Sequence, residues 1–250
     1  MWRSVQRWRG VAIIGVMAAI TLWLAVTGQL ALYIHPRHNV FTVTMAIIAV
    51  VLAVASVVGR RDHDDEDAAP PRRSQRALGL AAAGLAALFT LGMVLVPPAS
   101  LSTATAEQRE MNATAGGDEA SLAAASTADE ASIARFTVRE WAAILRQTSD
   151  LSFFADKPVT DLVGFVIADE DDPENVFYVS RFVVTCCAVD AQPLGVPVHL
   201  PDWAATFEPD SWVSVSGEFA SNPSSSSLQP VAVIPDTVDP VEQPREPYLF

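Results

Sequence analysis

Cysteine is scarce in this 250-residue chain, and basic residues are scarce in its second half. The only cysteines are the adjacent Cys186 and Cys187, and residues 99–250 contain seven Lys or Arg against twenty-four Asp or Glu. Proteins gain affinity for nucleic acids by neutralising phosphates with basic side chains. We therefore expect no nucleic-acid partner for this chain.

The sequence also lacks the common short motifs of catalysis. It contains no G-x-G-x-x-G, no P-loop, no H-E-x-x-H and no G-x-S-x-G. Each of these places specific groups around a phosphate, a metal or a nucleophile. Without such a constellation, we expect that the protein is not an enzyme.

Charged residues are missing from three apolar runs, 11–34, 40–59 and 77–96. Each run reaches the roughly 20 residues that a helix needs to cross a bilayer. A spanning segment must satisfy its own backbone groups, so each run is predicted to be a transmembrane helix. The alternatives are three buried helices of a soluble protein, or a signal peptide for the first run.

The arginines predict an orientation for these three helices. Arg3, Arg7 and Arg9 precede the first run and five arginines follow the second, whereas the short loop between them has only Arg37. Cytoplasmic loops carry the excess of Lys and Arg. We therefore expect a multi-pass protein of the plasma membrane with a cytoplasmic N-terminus and an extracytoplasmic C-terminal domain.

The rest of the chain divides by composition. After the membrane domain, 1–98, residues 99–132 are rich in Ala, Ser and Thr and are predicted to be a flexible tether. Thr137 and Glu140 have the spacing of a capping box at the start of a helix over 138–147. About five strands follow up to residue 240, and a Pro-rich tail covers 241–250. We expect a small, mostly-β domain over 133–240, most simply a five-stranded OB-like barrel, with a small sandwich as the alternative.

The cysteine pair lies in the apolar string RFVVTCCAVDAQPLG, residues 181–195. Adjacent cysteines close almost no loop, so an ordinary structural disulfide between them is not expected. Three interpretations remain: two small core residues, soft ligands for a metal, or thiol exchange and transient metal transfer. On a continuous strand, alternation would bury Cys186 and expose Cys187.

A metal site would need more ligands than the two thiols. Asp190 and His199 are the nearest candidates in sequence. A second candidate group is His35 and His38 in the HPRH motif after the first apolar run. Its simpler interpretation is an interfacial turn in which Arg37 contacts lipid headgroups. No cofactor is required by the sequence, and zinc or another soft metal is the ligand that the thiols would take.

The arrangement of these pieces resembles the YcgQ-like family of membrane proteins. The resemblance is carried by YIHPR after the first run, by RFVVTCCAVDAQPLG and by WVSVSGEF. Members of that family are described as subunits of a two-component permease, with a suggested link to zinc homeostasis, and no ligand residues are assigned. The resemblance marks Arg181, Asp190 and Pro193, together with both cysteines, as binding candidates without giving them roles.

These observations lead to one functional hypothesis and one alternative. The hypothesis is an accessory subunit of a membrane transport complex, with the lipid bilayer and a larger multi-span permease subunit as partners and a metal or other cation as solute. The alternative is a metal-binding or thiol-bearing envelope protein that acts alone. Co-purification of a multi-span partner would distinguish the two.

Overall fold

A computed structural model of the chain describes residues 2–58, 84, 88, 92, 100–116 and 119–250. It divides into two compact units, residues 1–99 and 100–250. Each unit is described by itself.

The first unit contains a pair of apolar helices that pack against each other, α1 (Trp2–Val26) and α2 (Asn39–Val58). The segment between them forms two short 3₁₀ helices, Gln29–Leu32 and Pro36–His38. Helix α1 ends before Gly28, whose φ of 76° lies in the left-handed region that glycine adopts without a steric penalty. The Thr27 hydroxyl donates to the Trp23 carbonyl oxygen at 3.0 Å and so satisfies a group of the last helical turn.

The prediction of three transmembrane helices is wrong. Among the described residues, one helical segment, Pro36–Ser56, is long and apolar enough to cross a membrane by length and composition, with a mean hydropathy of 2.2. The first apolar run does not continue as a helix through residue 34, because the chain turns at Gly28; its apolar helical part is the shorter Ile13–Val26. The third predicted helix, 77–96, lies outside the described residues except for three isolated positions.

The second unit is organised around one sheet of six strands in the order β1-β4-β5-β3-β2-β6, with an additional pairing between β1 and β2. The pairs are antiparallel except for β3 with β5 and β2 with β6. The strands are β1 (Val159–Ala168), β2 (Val176–Val183), β3 (Gln192–His199), β4 (Trp212–Ser221), β5 (Val231–Pro240) and β6 (Tyr248–Leu249).

This sheet corrects the prediction of a five-stranded OB-like barrel. The tail contributes a sixth strand, because β1 pairs with β2 only as far as Ser180. Beyond that point Phe182 and Val183 pair with Tyr248 and Leu249 instead. The sequence showed no alternation in so short a strand, so its pairing was not foreseen.

A helix, α6 (Val138–Gln147), packs on β1, β2 and β3. Its predicted bounds and capping box are confirmed: Glu140 accepts a hydrogen bond from the Thr137 backbone N–H at 2.7 Å. Trp141 is buried, and its ring lies 4.9 Å from that of Phe219 and 5.2 Å from that of Phe136. The other helices are α3 (Thr103–Ala106), α4 (Glu119–Ser126), α5 (Glu130–Ile133) and α7 (Leu151–Phe154).

Residues 100–116, which we expected to belong to a tether, make specific contacts with β3 and with the turn before β4. The Thr103 backbone N–H donates to the Asp210 carboxylate at 2.6 Å. The Asn112 side chain donates to the Gly195 carbonyl oxygen at 3.0 Å and accepts from the Gly195 N–H at 2.8 Å. We call this segment the wrap. The Asn112 side chain replaces water on both backbone groups of Gly195, and the Asp210 carboxylate does so for the Thr103 N–H. These bonds give a segment of low hydrophobicity a defined position.

Gly164 on β1 provides a test of how closely the sheet is packed. A methyl group there would lie 2.6 Å from the Ser180 carbonyl oxygen and 2.7 Å from a Val179 methyl. Gly164→Ala is therefore expected to lower the free energy of unfolding by about 1–3 kcal/mol, because the ladder must shift to admit it. Gly116→Ala is the matched control, since its nearest neighbour would be an ordinary 3.8 Å away. If both variants unfolded at the same temperature, the close approach of β1 and β2 at Gly164 would be contradicted.

Candidate functional site

Both cysteines lie on a turn between β2 and β3 rather than within a strand. Strand β2 ends at Val183, and a 3₁₀ helix, Ala188–Asp190, precedes β3. We call residues 185–190 the thiol turn. The Asp190 N–H donates to the Cys187 carbonyl oxygen at 2.9 Å and closes the 3₁₀ helix.

The Asp190 carboxylate organises this turn. One of its oxygens accepts the Thr185 N–H at 3.0 Å, and the other accepts the Cys186 N–H at 2.8 Å and the Cys187 N–H at 3.3 Å. Three successive N–H groups that do not pair with a strand thus bond to one carboxylate. This is the local side-chain-to-backbone bonding by which aspartate favours turns over strands.

The structure reverses the predicted burial of the two thiols. Cys186 is exposed and Cys187 is half-buried, and neither forms a disulfide. The prediction that Cys186 packs in the core is wrong, as is the interpretation of both as core residues. Alternation of side chains requires a strand, and the strand stops three residues before Cys186.

Two thiols and one carboxylate converge at this turn. A ligand atom from each of Cys186, Cys187 and Asp190 lies within 4.8 Å of the others. The two sulfurs and the oxygen are of the kinds that bind transition metals. The thiol turn can therefore present two soft ligands and one hard ligand to a single ion.

Two segments that are distant in sequence hold the thiol turn, one just before its start and one near its end. Leu249 in β6 accepts a hydrogen bond from the Val184 N–H at 2.9 Å, just before the turn. Arg109 of the wrap donates from Nη2 to the Val189 carbonyl oxygen at 3.2 Å. The other terminal nitrogen of Arg109 is buried without a hydrogen-bond partner. Sequence reasoning missed both contacts, because each joins segments more than sixty residues apart.

Arg181 has a role outside the thiol turn. Its Nε donates to the Pro247 carbonyl oxygen at 2.9 Å and its Nη2 to that of Glu246 at 2.6 Å. The guanidinium carbon lies 5.4 Å from the centre of the Trp212 ring, within the range of a cation–π contact. Burial lowers the pKa of Arg181, because desolvation disfavours the charged guanidinium. Arg181 thus fixes the tail, and it also lines a shallow cavity of about 140 Å³.

The remaining predicted site residues do not join the two thiols. Pro193 pairs with Phe182 in the ladder, and its carbonyl oxygen accepts the Asn112 N–H at 3.0 Å. His199 lies at the opposite end of β3 from the turn. At about 3.3 Å per residue, that separation is on the order of 20 Å.

The two histidines of the HPRH motif belong to the first unit, where each already accepts a hydrogen bond. His35 accepts the Arg37 backbone N–H on Nδ1 at 3.1 Å, and His38 accepts the Arg37 side chain on Nε2 at 3.1 Å. Their ring centroids are 6.2 Å apart. The arrangement is a hydrogen-bonded turn between helices, and these two nitrogens would have to give up their bonds before they could bind a metal.

Comparison with known proteins places this architecture in a family. The model of the DUF1980 N-terminal domain matches residues 9–112, and that of the DUF1980 C-terminal domain matches residues 115–250. The chain belongs to the DUF1980 family. Neither a curated protein nor a solved structure matches it. The thiol turn lies within the C-terminal domain of this DUF1980 protein.

The role of Asp190 in this DUF1980 protein can be measured directly. Asp190→Ala is expected to lower the free energy of unfolding by about 1–2 kcal/mol, as for loss of a side chain that caps backbone N–H groups. Amide exchange at residues 185–187 should accelerate more than exchange in β2. Asp236→Ala, at an exposed position of β5, is the control and should change stability by less than about 0.5 kcal/mol. Unchanged exchange at the turn would show that the carboxylate does not hold it.

Proposed function

We propose that this DUF1980 protein is an accessory subunit of a membrane transport complex and that its thiol turn binds a soft metal cation. The observation that carries the proposal is the convergence of two thiols and a carboxylate within 4.8 Å on an accessible turn. The resemblance of the sequence to the YcgQ-like permease subunits supplies the transport part.

The location of the thiols favours reversible binding over a structural metal. Structural zinc sites are closed by four protein ligands and hold a small domain together. Here the core of the second unit is formed by buried apolar side chains of the sheet and of α6. Cys186 is exposed at the surface of that unit. An ion on the thiol turn would therefore be accessible to exchange, as a transported solute must be.

The acidic character of the second unit supports a cationic ligand. Residues 99–250 contain seven Lys or Arg and twenty-four Asp or Glu. A surface of one sign raises the local concentration of ions of the other sign and speeds their arrival. The same charge would repel anionic solutes.

The first unit supports attachment to a lipid bilayer. Helix α2 exposes large apolar side chains, among them Phe41 at 64%, Val51 at 58% and Leu52 at 63%. Exposed apolar surface on this scale marks contact with lipid or with another protein. We propose that this unit lies in the membrane beside the helices of a larger permease subunit.

One purification tests both parts of the proposal. The full chain, isolated from its own membranes in mild detergent under reducing conditions, is expected to carry up to one equivalent of a soft metal and a multi-span partner. The variant with both Cys186→Ser and Cys187→Ser should lose about nine-tenths of the metal, because serine is a poor ligand for soft ions, and should keep the partner. Metal content is measured by elemental mass spectrometry and the partner by peptide mass spectrometry.

The outcomes separate the two functional hypotheses. Ser225→Ala, an exposed position without a side-chain ligand, is the matched control and should keep both metal and partner. Thiol-dependent metal without any partner would favour a metal-binding protein that acts alone. Equal metal in the wild-type and double-serine proteins would exclude the thiol turn as the binding site.

A further inference from the structure

We propose that the thiol turn binds a two-coordinate monovalent ion, Cu⁺, in preference to Zn²⁺; this inference rests on the proposed metal-binding function. The first step is the number of ligands. Among the described residues, the group within 4.8 Å consists of Cys186, Cys187 and Asp190 alone. A protein zinc site uses three or four protein ligands. The turn meets that minimum only if Asp190 is a full ligand.

Asp190 is poorly placed to act as a full ligand. A carboxylate has about four lone-pair positions, and three backbone N–H groups of the turn already use three of them. Drawing an oxygen onto a metal would weaken the bonds that keep both sulfurs in place. Asp190 is therefore a positioning residue, and the two thiolates remain as the strong ligands.

The two sulfurs lie close enough to bind the same ion. They and the Asp190 oxygen all lie within 4.8 Å of one another. Two metal–sulfur bonds of about 2.3 Å span at most about 4.6 Å, so both thiolates can reach one ion with little movement. The pair therefore supplies two strong ligands to a single ion.

Chemistry and charge favour the same ion. Thiolates are soft ligands that suit both Cu⁺ and Zn²⁺, so the number of ligands decides between the two ions, and two thiolates fall short of the three or four protein ligands of a zinc site. A complex of two thiolates with one monovalent cation keeps one negative charge. Arg109 touches the turn through the Val189 carbonyl oxygen and has a second, buried nitrogen without a hydrogen-bond partner. Its bond to Val189 places a positive charge beside the turn, which would reduce the cost of the remaining negative charge.

A competition experiment on the full chain in detergent tests the selectivity. The metal-free, reduced protein is titrated with Cu⁺ against a Cu⁺-specific chelator and, separately, with Zn²⁺ against a zinc dye. We expect one Cu⁺ per chain, and a Kd for Zn²⁺ at least about 1,000-fold weaker because two ligands are missing from its preferred four. X-ray absorption of the copper-loaded protein should show two sulfur neighbours and no oxygen or nitrogen.

Single variants separate ligands from positioning residues. Cys186→Ser and Cys187→Ser should each weaken Cu⁺ binding by about 1,000-fold or more, since one thiolate remains. Asp190→Asn should weaken it by only about tenfold, as expected for a group that orients ligands. Ser225→Ala should leave it unchanged.

Two results would overturn the inference in distinguishable ways. Zinc bound as tightly as copper, or an oxygen neighbour lost together with copper in Asp190→Asn, would overturn the selectivity while leaving the proposed metal site intact. Binding of neither metal by the reduced chain would overturn the proposed function as well.

Discussion

The thiol turn of the second unit depends on one carboxylate, that of Asp190, which accepts three successive backbone N–H groups. The ladder between β2 and β3 ends at the pair Val183 and Gln192, so the next N–H groups have no strand partner on that side. Leu249 accepts that of Val184, and Asp190 accepts the following three. The chain can therefore leave the sheet without burying unsatisfied donors. As a consequence, Cys186 is exposed at the surface and Cys187 is half-buried beside it.

The parts of the unit that lie farthest apart in sequence meet around this turn. Because β1 stops pairing with β2 at Ser180, the adjacent edge of β2 is available to the tail. Arg181 holds the tail there through two carbonyl oxygens. The wrap reaches the C-terminal part of the thiol turn through Arg109, which donates to the Val189 carbonyl oxygen. Two segments with little hydrophobicity, the tail and the wrap, thus acquire defined positions from hydrogen bonds that satisfy backbone groups.

The sequence could predict features held by contacts between neighbouring residues, and it could not predict contacts between segments far apart in the chain. The bounds of α6 were predictable, because Thr137 and Glu140 cap it from within four residues. The five strands β1–β5 agree with the expectation of about five strands up to residue 240. The sixth strand and the Arg109 contact were not predictable, since both join segments far apart in sequence. The prediction of cysteine burial failed for a different reason. It assumed that side chains alternate through residues 185–187, but these residues form a turn, and the residue that organises the turn, Asp190, follows them in sequence.

The way in which the thiol turn is held bears on how an ion could leave it. In a zinc finger the metal itself supplies the folding energy, so loss of the metal unfolds the domain. Here Asp190, Leu249 and Arg109 fix the turn through bonds that involve no metal. The metal-free and metal-bound turns can then share one conformation, and an ion lost to a partner with more ligands leaves a preformed site behind. Adjacent cysteines suit that purpose, because they bring two sulfurs to one ion without closing a loop whose ordering would depend on the ion.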